Sequence, residues 1–356
     1  MTSTGSGVRV FPELRAAHLD EIDHYAPRTT LYFDEKYDLG ARDIPDHCIR
    51  VTTLSAMRAL WTSTERVLEL PEPLWLRFFP RWVLFAVVWK SRRLIGIRHS
   101  EVVFFAIENN ALSQLLFSDS SRIPLLQRLV IRFLQLMVRG LVDRCVFGTD
   151  SAAEAYSPLV KSTRPSRTTI TDLLAPRDLH TKKRALSAVF VGALEERKGI
   201  SALLDCWPTV ESLLPDATLQ VIGAGPLRQI VERWAAIRPA SRGYVGLLPR
   251  DQTLAHIATA TVLIAPSIPI GRWREQVGRP IQEALAMGAT VVTTTDTGLA
   301  SYLQEHGHRV IPVTLLKERL TTEIISALQN PLPPEQVMAA LPRQDGRLAA
   351  DQWLHS

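Results

Sequence analysis

From Ala185 onward, short apolar runs alternate with amphipathic stretches of helical length, and this alternation limits the possible folds more than any other feature of the 356 residues. Ala188–Gly192, Thr218–Gly223, Tyr244–Leu247, Val262–Pro266 and Thr290–Thr294 read as strands. Ile200–Leu214, Leu227–Ile237, Asp251–Thr259 and Pro280–Met287 read as the helices between them. Strand and helix in strict succession predict an α/β domain with a parallel sheet covered by helices on both faces.

The first half carries the same elements less regularly. Thr29–Phe33, Cys48–Thr53, Val67–Leu70, Glu101–Ile107 and Asp143–Gly148 read as strands, with helices over Leu125–Val142 and from Asp150 to Tyr156. The polar, basic stretch Thr163–Arg184, with prolines at 165 and 176, reads as the join. A chain of this length suggests about two domains. We therefore expect domains over 1–165 and 166–340, with a C-terminal tail over 341–356.

Composition excludes several classes. Apolar residues at 46% and charged residues at 22% belong to an ordinary globular chain rather than a disordered or collagen-like one. Three cysteines without a CxxC pair suggest no zinc cluster and point to reduced thiols. The start lacks a basic region followed by an apolar core, so no signal peptide is expected. The longest apolar run, Trp82 to Trp89, has eight residues, whereas a spanning helix needs about 20.

Net charge is +5, and the positive charge is clustered. Pro73–Ser100 holds Arg77, Arg81, Lys90, Arg92, Arg93 and Arg98 among Trp75, Phe78, Phe79, Trp82, Phe85 and Trp89, with no acid. Arg122, Arg128, Arg132 and Arg139 punctuate a second apolar, acid-free segment over Ser121–Val142. Either segment fits an interfacial membrane helix or a core helix whose arginines reach solvent. We expect Arg77, Arg81, Trp82, Trp89, Arg92 and Arg93 to meet an anionic membrane, and no reader motif indicates nucleic acid.

Three motifs follow strands of the second half. Val221-Ile-Gly-Ala-Gly-Pro-Leu-Arg228 lacks the third glycine of a dinucleotide fingerprint, because Arg228 stands there. It leaves a glycine turn, Gly223 and Gly225, where open sheets bind ligands. Gly192 ends another strand, and the loop after it carries Arg197 and Lys198, cations suited to a diphosphate or simply a solvated basic turn. Pro266–Gly288 contains Glu275 and, after seven intervening residues, Glu283 inside a short helix that Pro280 opens and Gly288 ends. A helix N-terminus attracts an anion and carboxylates bind hydroxyls, so together these features fit a nucleotide sugar. Glu283 favouring the helix dipole is the simpler alternative.

Taken in order, Gly192…Lys198-Gly199, Val221–Pro226, Gly246, Pro266-Ser267 and Glu275-x7-Glu283 followed by Ala-Leu-Ala-Met-Gly288 resemble the nucleotide-binding half of family 4 glycosyltransferases. The resemblance covers 185–312 and implies the GT-B fold, two Rossmann-like domains facing across a cleft. It implies a retaining transfer from a nucleoside diphosphate sugar. Lys198 would then contact the diphosphate, Glu275 the transferred sugar and Glu283 the ribose. Val277, Gly278 and Arg279 would approach the phosphates. Many members carry arginine after the first glycine; here Ala193 stands there, and Arg197 is the candidate substitute. The histidine common near the cleft is missing from Ile107–Asn110, where Glu108 and Asn109 stand instead, so Glu108 joins Glu275, Lys198 and Arg197 as a candidate catalytic residue. Members often send the tail back onto the first domain.

The expected enzyme is thus a metal-independent hexosyltransferase without cofactor, since no DxD motif occurs. Its acceptor would be a lipid-linked saccharide or another envelope glycan precursor, reached by peripheral attachment to the inner membrane face. A GT-B epimerase acting on the nucleotide sugar and a non-catalytic membrane-binding member remain the alternatives.

Overall fold

A computed structural model describes residues 7–22, 28–36, 39–40, 42–96, 99–116, 124–160, 165–177 and 182–356. The chain divides into two units, one of Met1–Thr171 with Gly346–Ser356 and one of Asp172–Asp345.

The first unit runs β1 (Gly7–Leu14), α1 (Ala16–Ile22), β2 (Thr29–Glu35), β3 (Cys48–Arg50), α2 (Thr53–Thr62), β4 (Val67–Glu69), α3 (Phe79–Ser91), β5 (Glu101–Ala106), α4 (Leu112–Leu116), α5 (Pro124–Leu141), β6 (Arg144–Phe147), α6 (Asp150–Tyr156) and β7 (Ser166–Thr169). Its parallel sheet has the order β3-β2-β1-β4-β5-β6-β7. The sequence ends this domain at 165, but Ser166–Thr169 forms the edge strand beside β6. Backbone pairing suffices to hold an edge strand, so Ser-Arg-Thr-Thr carries no apolar pattern that would mark it.

The second unit runs β8 (Ser187–Val191), α7 (Ile200–Leu213), β9 (Thr218–Ile222), α8 (Arg228–Ile237), β10 (Arg242–Gly246), α9 (Arg250–Thr259), β11 (Val262–Ala265), α10 (Arg279–Ala286), β12 (Thr290–Thr294), α11 (Ala300–Glu305), β13 (Arg309–Ile311), α12 (Leu316–Gln329) and α13 (Pro334–Ala339). Its sheet order is β10-β9-β8-β11-β12-β13, all parallel. The order reverses between β8 and β11, and such a switch point opens a crevice at the strands' carboxyl ends. Both units are thus Rossmann-like α/β sheets. Val189, Leu263 and Val292 are fully buried, as expected of central strands covered on both faces.

The last helix, α14 (Gly346–Leu354), returns to the first unit and packs Ala350 and Leu354 against Val67, Val103 and Val146 of the sheet. A buried ionic cluster fastens it. The Arg9 guanidinium donates to Glu69 at 2.8 Å and to Asp351 at 2.5 Å, and Arg28 reaches Asp351 at 2.6 Å. Arg347 and the His355 imidazole also meet Glu69, at 3.0 and 3.1 Å. Burial alone would raise the Glu69 carboxyl, but Arg9 and its other partners outweigh it and hold the group well below the carboxylate range. Glu69, Asp351 and His355 have the spacing of a metal triad. Three guanidiniums already offset the two carboxylates there, which makes this a structural clasp.

The membrane expectation for the Pro73–Ser100 window fails at three of its six residues. Trp82, Trp89 and Arg92 are fully buried. Trp82, Phe85, Ala86 and Trp89 follow the i, i+3, i+4, i+7 spacing of a core-facing stripe, and they fill the first unit's core. Arg92 lies 3.8 Å from the Trp89 ring and donates to the carbonyls of Ser63 and Glu65. Lys90 is ion-paired with Asp143. Arg77, Arg81 and Arg93 are exposed, whereas Arg98 and Arg122 lie outside the described residues.

Candidate donor site of the second unit

Four of the six strands of the second sheet carry, at their carboxyl ends, a residue singled out in the sequence. Gly192 follows β8, Gly223 follows β9, Gly246 ends β10, and Pro266-Ser267 follows β11. The Gly223 amide donates to the Gly246 carbonyl at 2.9 Å, and the Gly192 amide to the Ile222 carbonyl at 3.0 Å. A side chain on Gly223 would place its Cβ 1.8 Å from the Gly192 carbonyl oxygen. One on Gly225 would lie 2.6 Å from that of Leu194. The glycines therefore let adjoining turns close at the strand ends without a side chain between them.

Gly199 performs the same service across the switch point. It holds φ +69° at the start of α7, and a Cβ there would stand 2.0 Å from the Pro266 carbonyl oxygen. This close approach brings the loop after β8 against the loop after β11. As a result the Lys198 ammonium pairs with the Glu275 carboxylate, a residue 77 positions away in the chain. The same Glu275 Oε2 accepts from the Ser267 hydroxyl at 2.9 Å. Both side chains are mostly buried, at 19% and 14% exposed, so their mutual attraction is less screened than at the surface.

Arg197 stands beside this pair. Its guanidinium donates to Glu195 at 2.5 Å and lies 4.4 Å from the Trp273 ring centroid, with the Lys198 ammonium 5.0 Å from the same ring. Trp273 thus presents one aromatic surface to both cations.

Glu283 lies on α10, whose start at Gly278 has φ +84°. The carboxylate is buried and has Arg250 and Arg279 each 3.4 Å from Oε1. Val277 is buried, and its carbonyl accepts from the Thr297 hydroxyl at 3.0 Å, which anchors the Val277–Arg279 turn. Lys198, Arg197, Glu275, Glu283 and the glycines therefore occupy one side of one sheet, whose chemistry combines cations, carboxylates and a helix N-terminus.

Glu108 belongs to the other unit, after β5. Its carboxylate accepts from the Asn110 amide and side chain at 2.8 and 2.7 Å, and its own amide donates to Glu72 at 3.1 Å. Tyr156 also donates to Glu72, at 2.9 Å. Burial and the neighbouring Glu108 charge push the Glu72 carboxyl up to about 7.

Sequence reasoning missed Trp273, Arg250, Glu72 and Asp296. Asp296 is fully buried and accepts from the Glu275 amide at 3.1 Å and from the Arg274 guanidinium at 2.9 Å, which fixes the loop bearing Glu275. An acid two residues past the strand Thr290–Thr294 was the available signal. Arg250 and Glu72 carried none, because their partners lie far away in the chain.

Residues 185–330 match the family model described as glycosyl transferases group 1. A phosphatidyl-myo-inositol mannosyltransferase of Mycobacterium tuberculosis is 29% identical over 164 residues, covering 44% of this chain and 42% of the relative. The chain thus spans about two fifths of the length of the curated relatives it matches. Among solved structures, Anabaena HepE in complex with UDP aligns over 98% of both chains with a TM-score of 0.69 at 14% identity. WaaG, described as a glycosyltransferase involved in lipopolysaccharide biosynthesis, aligns over 97% of this chain and 95% of its own at 0.56 and 16%. At these identities the structures establish the fold alone.

Proposed function

We propose that the chain is a group 1 glycosyltransferase of GT-B fold that transfers a sugar, with retention, from a nucleoside diphosphate sugar to a lipid-linked acceptor at an anionic membrane surface. The observation that carries the donor half is the Lys198–Glu275 pair at the β8/β11 switch point, the place where an open α/β sheet binds ligands. Lys198, Arg197 and the N-terminus of α10 offset the charge of the leaving diphosphate, which develops as the glycosidic bond breaks. Glu275 accepts hydroxyls of the transferred sugar, and Glu283 accepts those of the ribose. The backbone of Val277, Gly278 and Arg279 lies toward the phosphates, and the turns at Gly192, Gly223, Gly225 and Gly246 admit the nucleotide.

The acceptor rests on different support. The curated relative is by name a phosphatidyl-myo-inositol mannosyltransferase. Among the described residues no helix is long and apolar enough to cross a membrane. Exposed cations on the first unit supply what an anionic leaflet attracts, and the reading places the protein on the inner face of the cell membrane. Glu108 remains a candidate for the acceptor side.

The test is donor consumption measured over a panel of nucleotide sugars, with and without a lipid-linked acceptor. Transfer should require the acceptor, and the product should keep the donor's anomeric configuration. Turnover of the donor to an isomer without acceptor would support the epimerase, and no turnover with intact nucleotide binding would support a non-catalytic member.

A further inference from the structure

With Trp82, Trp89 and Arg92 inside the core, the aromatic stripe of the Pro73–Ser100 window is turned away from any membrane. Exposed large apolar residues of the first unit stand on several elements, Leu54 and Leu94 among them, and α5 groups three on one helix face. Leu129, Phe133 and Leu136 are 55%, 50% and 64% exposed, while Leu134 and Val138 on the opposite side are buried in the core. Arg128, Arg132 and Arg139 are exposed as well.

The two sets do not mix. At 3.6 residues per turn the three arginines fall within an arc of about 40°, and Leu129, Phe133 and Leu136 fill the adjoining arc of about 60°. A cationic stripe beside an apolar stripe is the geometry of a helix lying in a bilayer interface. Its apolar side enters the acyl boundary while its cations meet the headgroup phosphates. No acid occurs between 121 and 142. A second copy of this chain would bring the same three cations with nothing to neutralise them, which leaves an anionic lipid surface as the complementary occupant.

We propose that the exposed face of α5, with Arg128, Arg132 and Arg139 beside Leu129, Phe133 and Leu136, is the surface on which the protein docks to anionic membranes. The proposal deepens the membrane part of the function given above and relies on that reading for its purpose.

The test is vesicle partition of the full chain, comparing phosphatidylglycerol mixed into phosphatidylcholine with phosphatidylcholine alone. Wild type should prefer the anionic vesicles, weaken with salt and retain a salt-resistant remainder. Replacing Arg128, Arg132 and Arg139 together by Glu should lower partition by at least about 100-fold, with a Gln triple lowering it in the same sense. Replacing Leu129, Phe133 and Leu136 together by Gln should remove the salt-resistant remainder. Nucleoside diphosphate binding should match wild type in every variant, which also reports a folded second unit. Equal partition onto both vesicle types, or wild-type partition by the arginine variants, overturns the proposal. So does displacement from vesicles by duplex DNA, which would make the face a nucleic-acid surface. Vesicle binding through α5 by a protein that binds no nucleoside diphosphate would leave the docking face standing and sink the transferase reading instead.

Discussion

The Lys198 ammonium and the Glu275 carboxylate form one ion pair, and the Ser267 hydroxyl donates to the same carboxylate oxygen at 2.9 Å. This pair lies where the loops after β8 and β11 meet, a meeting that the close approach of Gly199 to Pro266 already sets. Glu275→Ala should spare nucleoside diphosphate affinity, because the sugar contact is lost and the diphosphate contact kept, while cutting turnover sharply. Glu283→Ala should instead weaken nucleoside diphosphate binding by about 1–3 kcal/mol, the loss of charged hydrogen bonds to the ribose. Calorimetric titration of both variants beside their transfer rates separates the roles. Unchanged binding and transfer in both would remove the site assignment.

Metal removal tests the same electrostatics. With Lys198, Arg197 and the α10 N-terminus supplying positive charge, transfer should continue in excess EDTA. Abolition by chelator and recovery with magnesium or manganese would show that an ion carries the leaving group.

The second sheet was largely legible because strands such as Ala188–Gly192 are apolar runs ended by glycine and alternate with amphipathic helices. The first was harder to read. β1 holds Arg9 in its middle, and a buried arginine looks like a strand breaker until Glu69 and Asp351 are known to face it. Those partners lie 60 and 342 residues away. The tryptophan window misled for a related reason: basic and aromatic residues suggested an interface, yet the spacing of Trp82, Phe85, Ala86 and Trp89 already pointed inward. In the donor site the glycines, Lys198 and the glutamates were visible as local motifs, whereas Arg250 and Trp273 depend on long-range packing.

Gly199→Ala should destabilise the second unit by about 3 kcal/mol, since the position needs a left-handed φ and the new Cβ would meet the Pro266 carbonyl oxygen at 2.0 Å. Separation of those loops would also move Lys198, the residue before Gly199, away from the diphosphate. Thermal unfolding and nucleoside diphosphate titration should therefore fall together. A variant as stable as wild type would show that the loop approach is not needed.

Arg92 and Arg93 are neighbours with opposite fates. Arg92→Ala removes hydrogen bonds to the Ser63 and Glu65 carbonyls and the Trp89 contact, and should cost about 3 kcal/mol. The exposed Arg93→Ala should change stability by less than about 0.5 kcal/mol. Denaturant midpoints of the two variants decide the matter, and equal midpoints would contradict the burial of Arg92.

His308 gives the fold an acid-side weakness. It is buried, its Nδ1 accepts from the Val291 amide at 3.1 Å, and burial holds its imidazole down at about 4. In the unfolded chain an imidazole takes a proton near 6.5. The neutral ring therefore favours folding fully above pH 6.5, and this contribution falls as the pH drops toward 4, by about 1.4 kcal/mol per pH unit. At pH 5 the loss reaches about 2 kcal/mol. Glu72 works in the opposite sense. Its carboxyl keeps a proton up to about 7 when folded but releases it near 4.5 when unfolded, so its contribution declines as pH rises between those values. The two effects are separable by substitution. His308→Gln should flatten the loss of stability from pH 6.5 down to 5, and Glu72→Gln should flatten the loss from pH 5 up to 7. Denaturant unfolding of wild type and both variants at pH 5, 6 and 7 measures each slope. A His308→Gln slope equal to wild type below pH 6.5 would show that the ring is protonated in the native state and that its burial is relieved there.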